Sequence, residues 1–122
     1  MTKKVIWAED VDTFRMTIVD ILKDYCSGAG IEVNVDEASN GRELVEKVLG
    51  TNYDLIFTDH QMPEVDGLQA IAQIREHNKT VPVYMVSNSE VEKQALQAGA
   101  TGYFWKVDSV SGMEQAVNLH LK

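Results

Sequence analysis

Four kinds of chemically versatile side chain in this sequence each come directly after a short apolar run. Glu9 and Asp10 follow the run at 5–8, Asp59 follows 55–58, Ser87 follows 81–86 and Lys106 follows 102–105. Carboxylates that are forced together raise one another's pKa unless a cation relieves the repulsion, and Mg²⁺ prefers such hard oxygen ligands. A lysine and a hydroxyl can bind phosphoryl oxygens. With a carboxylate nucleophile and a divalent ion, these are the groups needed to form an aspartyl phosphate.

The spacing of apolar residues predicts the elements that would position these side chains. Strands are predicted near residues 5–8, 31–35, 55–58, 81–86 and 102–105, and helices over 12–27, 40–50, 68–74, 89–99 and 111–121. Five strands that alternate with five helices indicate a doubly wound α/β fold, in which helices cover both faces of a parallel sheet. Ligands of such sheets bind beyond the carboxyl ends of the strands, where the four kinds of side chain would meet.

The alternative interpretation is that these polar residues have no chemical role, and that each caps a helix or lies in a solvated turn. That interpretation suits Asp36 and Glu37, which follow the second predicted strand and lead into a helix cap at Asn40. It is weak for the other residues, because carboxylates, a hydroxyl and a lysine all occur at the same end of their own strands.

Length and composition narrow the class of protein. The 122 residues fit one domain, predicted to span 1–122. A net charge of −8 argues against direct binding to nucleic acid. Cys26 is the only cysteine, so we expect no internal disulfide and a cytoplasmic, reducing location. The apolar runs are far shorter than the ~20 residues of a membrane span, so no membrane association is expected.

Four stretches of the chain resemble the receiver domains of two-component response regulators, in particular the single-domain chemotaxis regulators. They are VIWAED at 5–10, YDLIFTDHQMP at 53–63 continuing to Asp66-Gly67, MVS at 85–87, and AGATGYFWK at 98–106. The combination of an upstream acid pair with Asp…Met-Pro…Asp-Gly is highly specific, and the resemblance extends from Val5 to Leu121. It implies a flavodoxin-like sheet with the strand order 2-1-3-4-5, which agrees with the alternating, edge-like pattern of the second predicted strand.

The resemblance also implies roles for particular residues. Asp59 would be the phosphoacceptor and a ligand of Mg²⁺ (or Mn²⁺). Asp10 would bind the ion directly, Glu9 through water and Gln61 through its backbone carbonyl. Ser87 and Lys106 would contact the phosphoryl group, and the side-chain rotamer of Tyr103 would follow the position of the Ser87 hydroxyl. The phosphoryl group would come from a phosphohistidine on a histidine kinase or phosphotransfer protein. The chain would then be a signalling switch that slowly dephosphorylates itself, and not an enzyme acting on other substrates.

Tyr103 and Trp105 point to the same side of the predicted fifth strand, at the other edge of the sheet. Exposed aromatic residues at an edge favour a partner surface. We expect the face formed by the fourth helix, the fifth strand and the last helix to bind a downstream protein or a second copy of the chain.

Two other functions compete with this one. A hydrolase of the haloacid-dehalogenase type also uses a strand-end aspartate and Mg²⁺, and Asp10-Val11-Asp12 imitates its motif, but Phe14 stands where that motif has Thr or Val. Such an enzyme would also leave the Met-Pro…Asp-Gly stretch unexplained. A docking domain that works without phosphorylation would not need Asp59, Ser87 and Lys106 together.

The sequence departs from the family's usual pattern at three places. The acid pair is Glu9-Asp10 where Asp-Asp is commoner, Asn88 stands where a small residue is usual, and Val107 replaces the proline that commonly follows the lysine. A cis peptide bond costs about 2.5–4 kcal/mol without proline. We therefore predict a trans Lys106–Val107 bond, with the lysine amine still within reach of Asp59 because its stem is flexible.

Overall fold

The structure is a computed structural model that describes residues 1–122. Its strands are β1 (Lys3–Ala8), β2 (Val33–Ala38), β3 (Leu55–Thr58), β4 (Val83–Ser87) and β5 (Gly102–Trp105). Its α-helices are α1 (Asp12–Gly28), α2 (Gly41–Gly50), α3 (Gly67–His77), α4 (Glu92–Ala98) and α5 (Ser109–His120), and a 3-10 turn (Lys106–Asp108) joins β5 to α5. None of these helices is both long and apolar enough to cross a membrane.

The five strands form one parallel sheet with the order β2-β1-β3-β4-β5. This order confirms the predicted flavodoxin-like, doubly wound α/β fold. The chain reverses direction across the sheet between β1 and β3, so the ends of these two central strands border the crevice where such folds bind ligands. Ala8 lies opposite Thr58 in the register of this pair.

Alternation along the central strands divides the core between the two faces of the sheet. Val5 and Trp7 pack in one cluster with residues of α1 and α5, whereas Ile6 and Ala8 pack in the other with residues of α2 and α3. Because both faces are covered, all residues of β3 and β4 are buried. Cys26, Met62, Met85 and Met113 are all buried and pack in these two clusters.

The predicted bounds of several elements differ from the observed ones, most clearly in β2, α4 and α5. β2 begins at Val33 and continues through Asp36 and Glu37, which are therefore strand residues and not a solvated turn. The Asp36 carboxylate accepts a hydrogen bond from the Tyr53 hydroxyl at 2.6 Å, and the Glu37 carboxylate accepts one from Arg15 Nε at 2.9 Å. Pairing with β1 extends the strand to Ala38.

The other two differences concern helix starts. α4 begins at Glu92 with no side-chain cap, because Ser89 lies in the preceding loop, where its carbonyl accepts a hydrogen bond from Val91. α5 begins at Ser109, directly after the 3-10 turn, and Gly112 lies inside the helix against the Phe104 ring. The predicted cap at Asn40 is confirmed, since its side chain accepts a hydrogen bond from the Glu43 amide at 2.8 Å.

A partly buried hydrogen-bonded pair links β4 to the end of α5 and predicts a pH dependence of stability. His120 Nε2 lies 2.6 Å from the Tyr84 hydroxyl, and burial lowers the pKa of His120. The unfolded chain, whose histidines titrate near about 6.5, then binds a proton more readily than the folded one. This contribution to the free energy of unfolding is present at pH 7.5 and is lost as the pH falls below about 6.5 toward the lower pKa of the folded state.

We expect His120→Gln to reduce the loss of stability between pH 7.5 and pH 5.5, as measured by urea unfolding at both values. The matched control is His77→Gln, which replaces an exposed histidine of α3. If both variants keep the wild-type difference between the two pH values, the pair does not carry this dependence.

Candidate functional site

The ends of β1 and β3 bring three carboxylates together. The Asp59 amide donates to the carbonyl of Ala8 at 2.9 Å, so each acid lies directly beyond the paired part of its strand. One carboxylate oxygen from each of Glu9, Asp10 and Asp59 lies within 4.8 Å of the others. Glu9 and Asp59 are buried and Asp10 is exposed, so the cluster opens to solvent on one side.

Lys106, which begins the 3-10 turn after β5, supplies the positive charge of this cluster. Its Nζ lies 2.6 Å from Glu9 Oε1 and 3.4 Å from Asp59 Oδ2. Burial raises the pKa of Glu9 to about 7, although the Lys106 ammonium opposes the rise. Burial also disfavours the charge on Lys106, but the carboxylates of Glu9 and Asp59 outweigh it, and the pKa of Lys106 is raised. The ammonium is therefore held protonated between the two buried acids.

Ser87 and Tyr103 lie on the opposite side of Asp59 from the acid pair. Ser87 is the last residue of β4 and is buried, and its Oγ accepts a hydrogen bond from the Ser89 amide at 3.1 Å. The Tyr103 hydroxyl donates to the carbonyl of Ser89 and lies 3.3 Å from the carbonyl of Ser87. The Tyr103 side chain is thus bonded to the loop that follows Ser87, which couples β5 to the β4–α4 connection.

Most of these side chains, but not those of Glu9 and Tyr103, line one cleft of about 290 Å³. The residues around it are Asp10, Val11, Asp59, Gln61, Ser87, Asn88, Ser89 and Lys106. The structure therefore brings together the predicted residues Asp10, Asp59, Gln61, Ser87 and Lys106 in one cavity, with Glu9 buried behind Lys106. Asn88 lies on the exposed lip.

The loop after Asp59 is held in place by the first turn of α3. The Asp66 carboxylate accepts from the Gln69 amide at 2.9 Å, and the Gln69 side chain accepts from the Asp66 amide at 3.0 Å, which forms a complete capping box. A Cβ on Gly67 would lie 2.0 Å from the Asp59 carbonyl oxygen, so only glycine allows this approach. The Asp-Gly pair thereby anchors the backbone beneath the candidate phosphoacceptor, and the His60 amide donates to Asp59 Oδ1 at 2.7 Å.

The sequence analysis missed Arg15 as a residue that supports the site. Its Nη1 donates to the carbonyl of Glu9 at 2.6 Å, while other guanidinium nitrogens bind Asp12 and Glu37. This one side chain therefore joins α1 and β2 to the backbone of the acid pair. The Asp12–Arg15 spacing of three residues on one helix is a visible signal, but the contact with Glu37 depends on the sheet order.

The peptide bond after the lysine has the predicted geometry. The chain contains no cis peptide bond, which confirms that the Lys106–Val107 bond is trans. Tyr103 and Trp105 share a side of β5, with ring centroids 5.6 Å apart in an edge-to-face arrangement, and 38% of Trp105 is exposed. Leu96 of α4 and Val110 of α5 are also exposed.

Comparison with known proteins identifies this arrangement. The model of the response regulator receiver domain family matches residues 5–118. The chain belongs to the response regulator receiver domain family. Phosphorylation and Mg²⁺ binding are typical of this family, and signal transduction in two-component systems is its general function.

Individual relatives agree with the family assignment. A protein-glutamate methylesterase/protein-glutamine glutaminase of Archaeoglobus fulgidus is 43% identical over 110 residues, which are 86% of this chain and 30% of that protein. The transcriptional regulatory protein SrrA of Staphylococcus aureus is 31% identical over 87% of this chain and 42% of its own length. The receiver chain therefore spans less than half the length of these two curated relatives.

Solved structures show the same fold over whole chains. The signal receiver domain of the putative response regulator NarL from Mycobacterium tuberculosis has a TM-score of 0.83 at 30% identity, covering 96% of this chain and 94% of that chain. Chemotaxis protein CheY4 of Vibrio cholerae has a TM-score of 0.81 at 25% identity, covering 99% of this chain and all of the other.

The donor set of this receiver fits a magnesium ion. Three carboxylates converge on a solvent-connected cleft, and all the candidate ligands are oxygens. Mg²⁺ retains several waters and binds through one or two carboxylates plus phosphate oxygens. Asp10 and Asp59 line the cleft and are placed to provide these carboxylates, while Glu9, engaged by Lys106, lies one layer deeper.

We expect millimolar Mg²⁺ to raise the thermal midpoint of this receiver, because an ion that binds only the folded chain adds about 2.7 kcal/mol at one hundred times its dissociation constant. Asp59→Asn should raise the midpoint without the ion, since it removes one of three mutually repelling charges. The same variant should respond less to Mg²⁺.

The matched control is Asp20→Asn, which removes an exposed carboxylate of α1 outside the cleft. Thermal scans with and without the ion should show the wild-type response in this control. A wild type whose midpoint is indifferent to Mg²⁺ would count against a metal site at these residues.

Proposed function

We propose that this receiver is a phosphorylation-switched signalling domain whose phosphoacceptor is Asp59. The phosphoryl group would come from a phosphohistidine on a histidine kinase or phosphotransfer protein. The environment of Asp59 supports this proposal most. Its buried carboxylate lies at the floor of an open cleft, beside a lysine, a serine hydroxyl and two further acids.

In the proposed reaction, a carboxylate oxygen of Asp59 attacks the phosphorus atom as the bond from phosphorus to the histidine nitrogen breaks. The departing imidazole keeps the electrons of that bond and takes up a proton. The His60 amide, 2.7 Å from Oδ1, orients the Asp59 carboxylate before the attack.

Lys106 and Ser87 then stabilise the charge of the phosphoryl group. The lysine exchanges its 3.4 Å contact with Asp59 Oδ2 for a phosphoryl oxygen and neutralises it as a point charge. The serine Oγ has a hydroxyl proton to donate to a second oxygen. A magnesium ion held by Asp10, Asp59 and the carbonyl of Gln61 would offset the remaining negative charge and allow the anionic donor to enter an acidic cleft.

The acyl phosphate would be hydrolysed slowly by water that enters the same cleft, which restores Asp59 and makes the switch reversible. The chain would therefore catalyse only its own phosphorylation and dephosphorylation. Exposed Gln61 and Asn88 at the cleft edge would limit the approach of that water.

The two competing functions find less support. A haloacid-dehalogenase phosphatase does not account for a receiver-family match over residues 5–118. A docking domain independent of phosphorylation does not account for a lysine held protonated between two buried acids. Both alternatives are nevertheless separable from the proposal by one experiment.

Incubation with Mg²⁺ and acetyl phosphate should add one phosphoryl group to the intact protein, located at Asp59 and labile to base. Mass spectrometry of wild type and Asp59→Asn measures this, with Asp20→Asn as a control that should be labelled like the wild type. A phosphatase would consume the donor continuously with no stable adduct, and a docking domain would take up no phosphoryl group in any variant.

We further propose that the output surface is the face formed by α4, β5 and α5, and that Trp105 contacts a downstream protein or a second copy of this chain there. Movement of Ser87 toward the phosphoryl group would release the loop to which the Tyr103 hydroxyl is bonded. Such a rearrangement is favoured only if the acyl phosphate is better satisfied in the second state. Tyr103 packs against Trp105, so the rearrangement would reach this exposed face.

Trp105→Ala should leave the rate of labelling by acetyl phosphate unchanged and weaken the phosphate-dependent association. The association is measured by sedimentation of the phosphorylated chain alone and with candidate target proteins. Leu49→Ala, which removes an exposed apolar residue of α2, is the matched control. Equal loss of labelling and association in Trp105→Ala would contradict the proposed role.

A further inference from the structure

The Lys106 side chain needs more than opposite charge to hold its ammonium in the cleft. A lysine side chain has four flexible carbon–carbon links, and its ammonium is a compact charge with three N–H donors. Glu9 Oε1 at 2.6 Å is a much closer partner than Asp59 Oδ2 at 3.4 Å. With these two partners alone, the amine would be drawn toward Glu9, away from the atom that is to be phosphorylated.

A third group, an aromatic ring, lies close to the ammonium. Lys106 Nζ is 4.8 Å from the centroid of the Phe14 ring, within the distance at which a cation is attracted to the electron-rich face of an aromatic ring. Two carboxylate oxygens and one ring face thus lie near a group that has three N–H donors.

The Phe14 ring is itself held in place. Phe14 lies in the first turn of α1 and is partly buried, and it packs against the core cluster that includes Trp7 and Ile18. Packing against this cluster restrains the ring, so it is a fixed surface beside the ammonium. The Lys106 side chain is only 19% exposed, and partial exclusion of water strengthens the attraction of the cation to the acids.

We propose that Phe14 is a positioning residue for Lys106, and that its ring keeps the ammonium between Glu9 and Asp59, ready to move to a phosphoryl oxygen. The inference rests on the proposed function of Asp59. A neutral ring suits this task because it restrains a cation without adding a negative charge that would compete with the phosphoryl group or repel the donor.

The first test compares rates of labelling by acetyl phosphate. Phe14→Leu keeps an apolar side chain but removes the ring, and we expect labelling to be about 3- to 10-fold slower, the loss that corresponds to a partly desolvated cation–π contact. Phe14→Tyr should retain the wild-type rate to within about twofold because it keeps the ring face. Replacement of Phe14 by a trifluorinated phenylalanine, which keeps the ring shape but withdraws its electrons, should resemble Phe14→Leu.

The matched control is Tyr25→Leu. Tyr25 is another partly buried aromatic residue of α1 that packs against the same core cluster, but it is bonded to Asn118 and lies outside the cleft. This variant should label at the wild-type rate. Thermal scans of all variants identify any whose slow labelling reflects loss of folded protein.

The second test does not depend on phosphorylation. The ε-methylene protons of Lys106 should have NMR shifts moved upfield by the ring current of Phe14 in the wild type and in Phe14→Tyr, and this displacement should vanish in Phe14→Leu. The proposal is wrong if the wild type shows no such displacement, or if Phe14→Leu labels as fast as Phe14→Tyr. If the wild type itself takes up no phosphoryl group, the proposed function fails, and the NMR shifts alone then decide whether the ring holds the lysine.

Discussion

Mutual repulsion among three carboxylates is the constraint on which the rest of this receiver depends. Glu9, Asp10 and Asp59 bring oxygens within 4.8 Å of one another, and two of the three are buried. Burial, with a smaller contribution from the Asp59 charge, raises the pKa of Glu9 to about 7. The ammonium of Lys106 compensates only part of this charge. The remaining unbalanced charge suits the cleft to a divalent cation.

The fold supplies the means to tolerate this crowding. Hydrogen bonds of the parallel sheet continue to the Asp59 amide, and the capping box of α3 with Gly67 holds the loop that follows. On the other side, the guanidinium of Arg15 joins α1 and β2 to the carbonyl of Glu9. The acids are therefore held by backbone and by neighbouring elements, so their positions do not depend on favourable contacts with one another. This is the preorganisation that charge-based chemistry requires.

Relatives of this chain carry the same receiver fold within proteins that have different names and lengths. One is a methylesterase in which the matched part is 30% of the chain, and another is a transcriptional regulator in which it is 42%. The same receiver region therefore occurs in proteins with different names. If the common chemistry lies at the strand ends, as proposed, the differences are expected on exposed faces, such as the one that carries Trp105.

The sequence by itself determined the alternation of strands and helices and the position of the site residues at the ends of strands. Both depend on local periodicity and on residue type. It placed β3 and β5 at their observed bounds, and a resemblance of motifs supplied the strand order. Only the tertiary structure decided the features that depend on residues far apart in the chain. Glu37 is a strand residue because β1 and Arg15 pair with it, and Phe14 lies beside Lys106 because α1 begins, and β5 ends, at the same edge of the sheet. No local pattern encodes a contact between residues 14 and 106, since the free energy that makes it comes from packing the whole sheet.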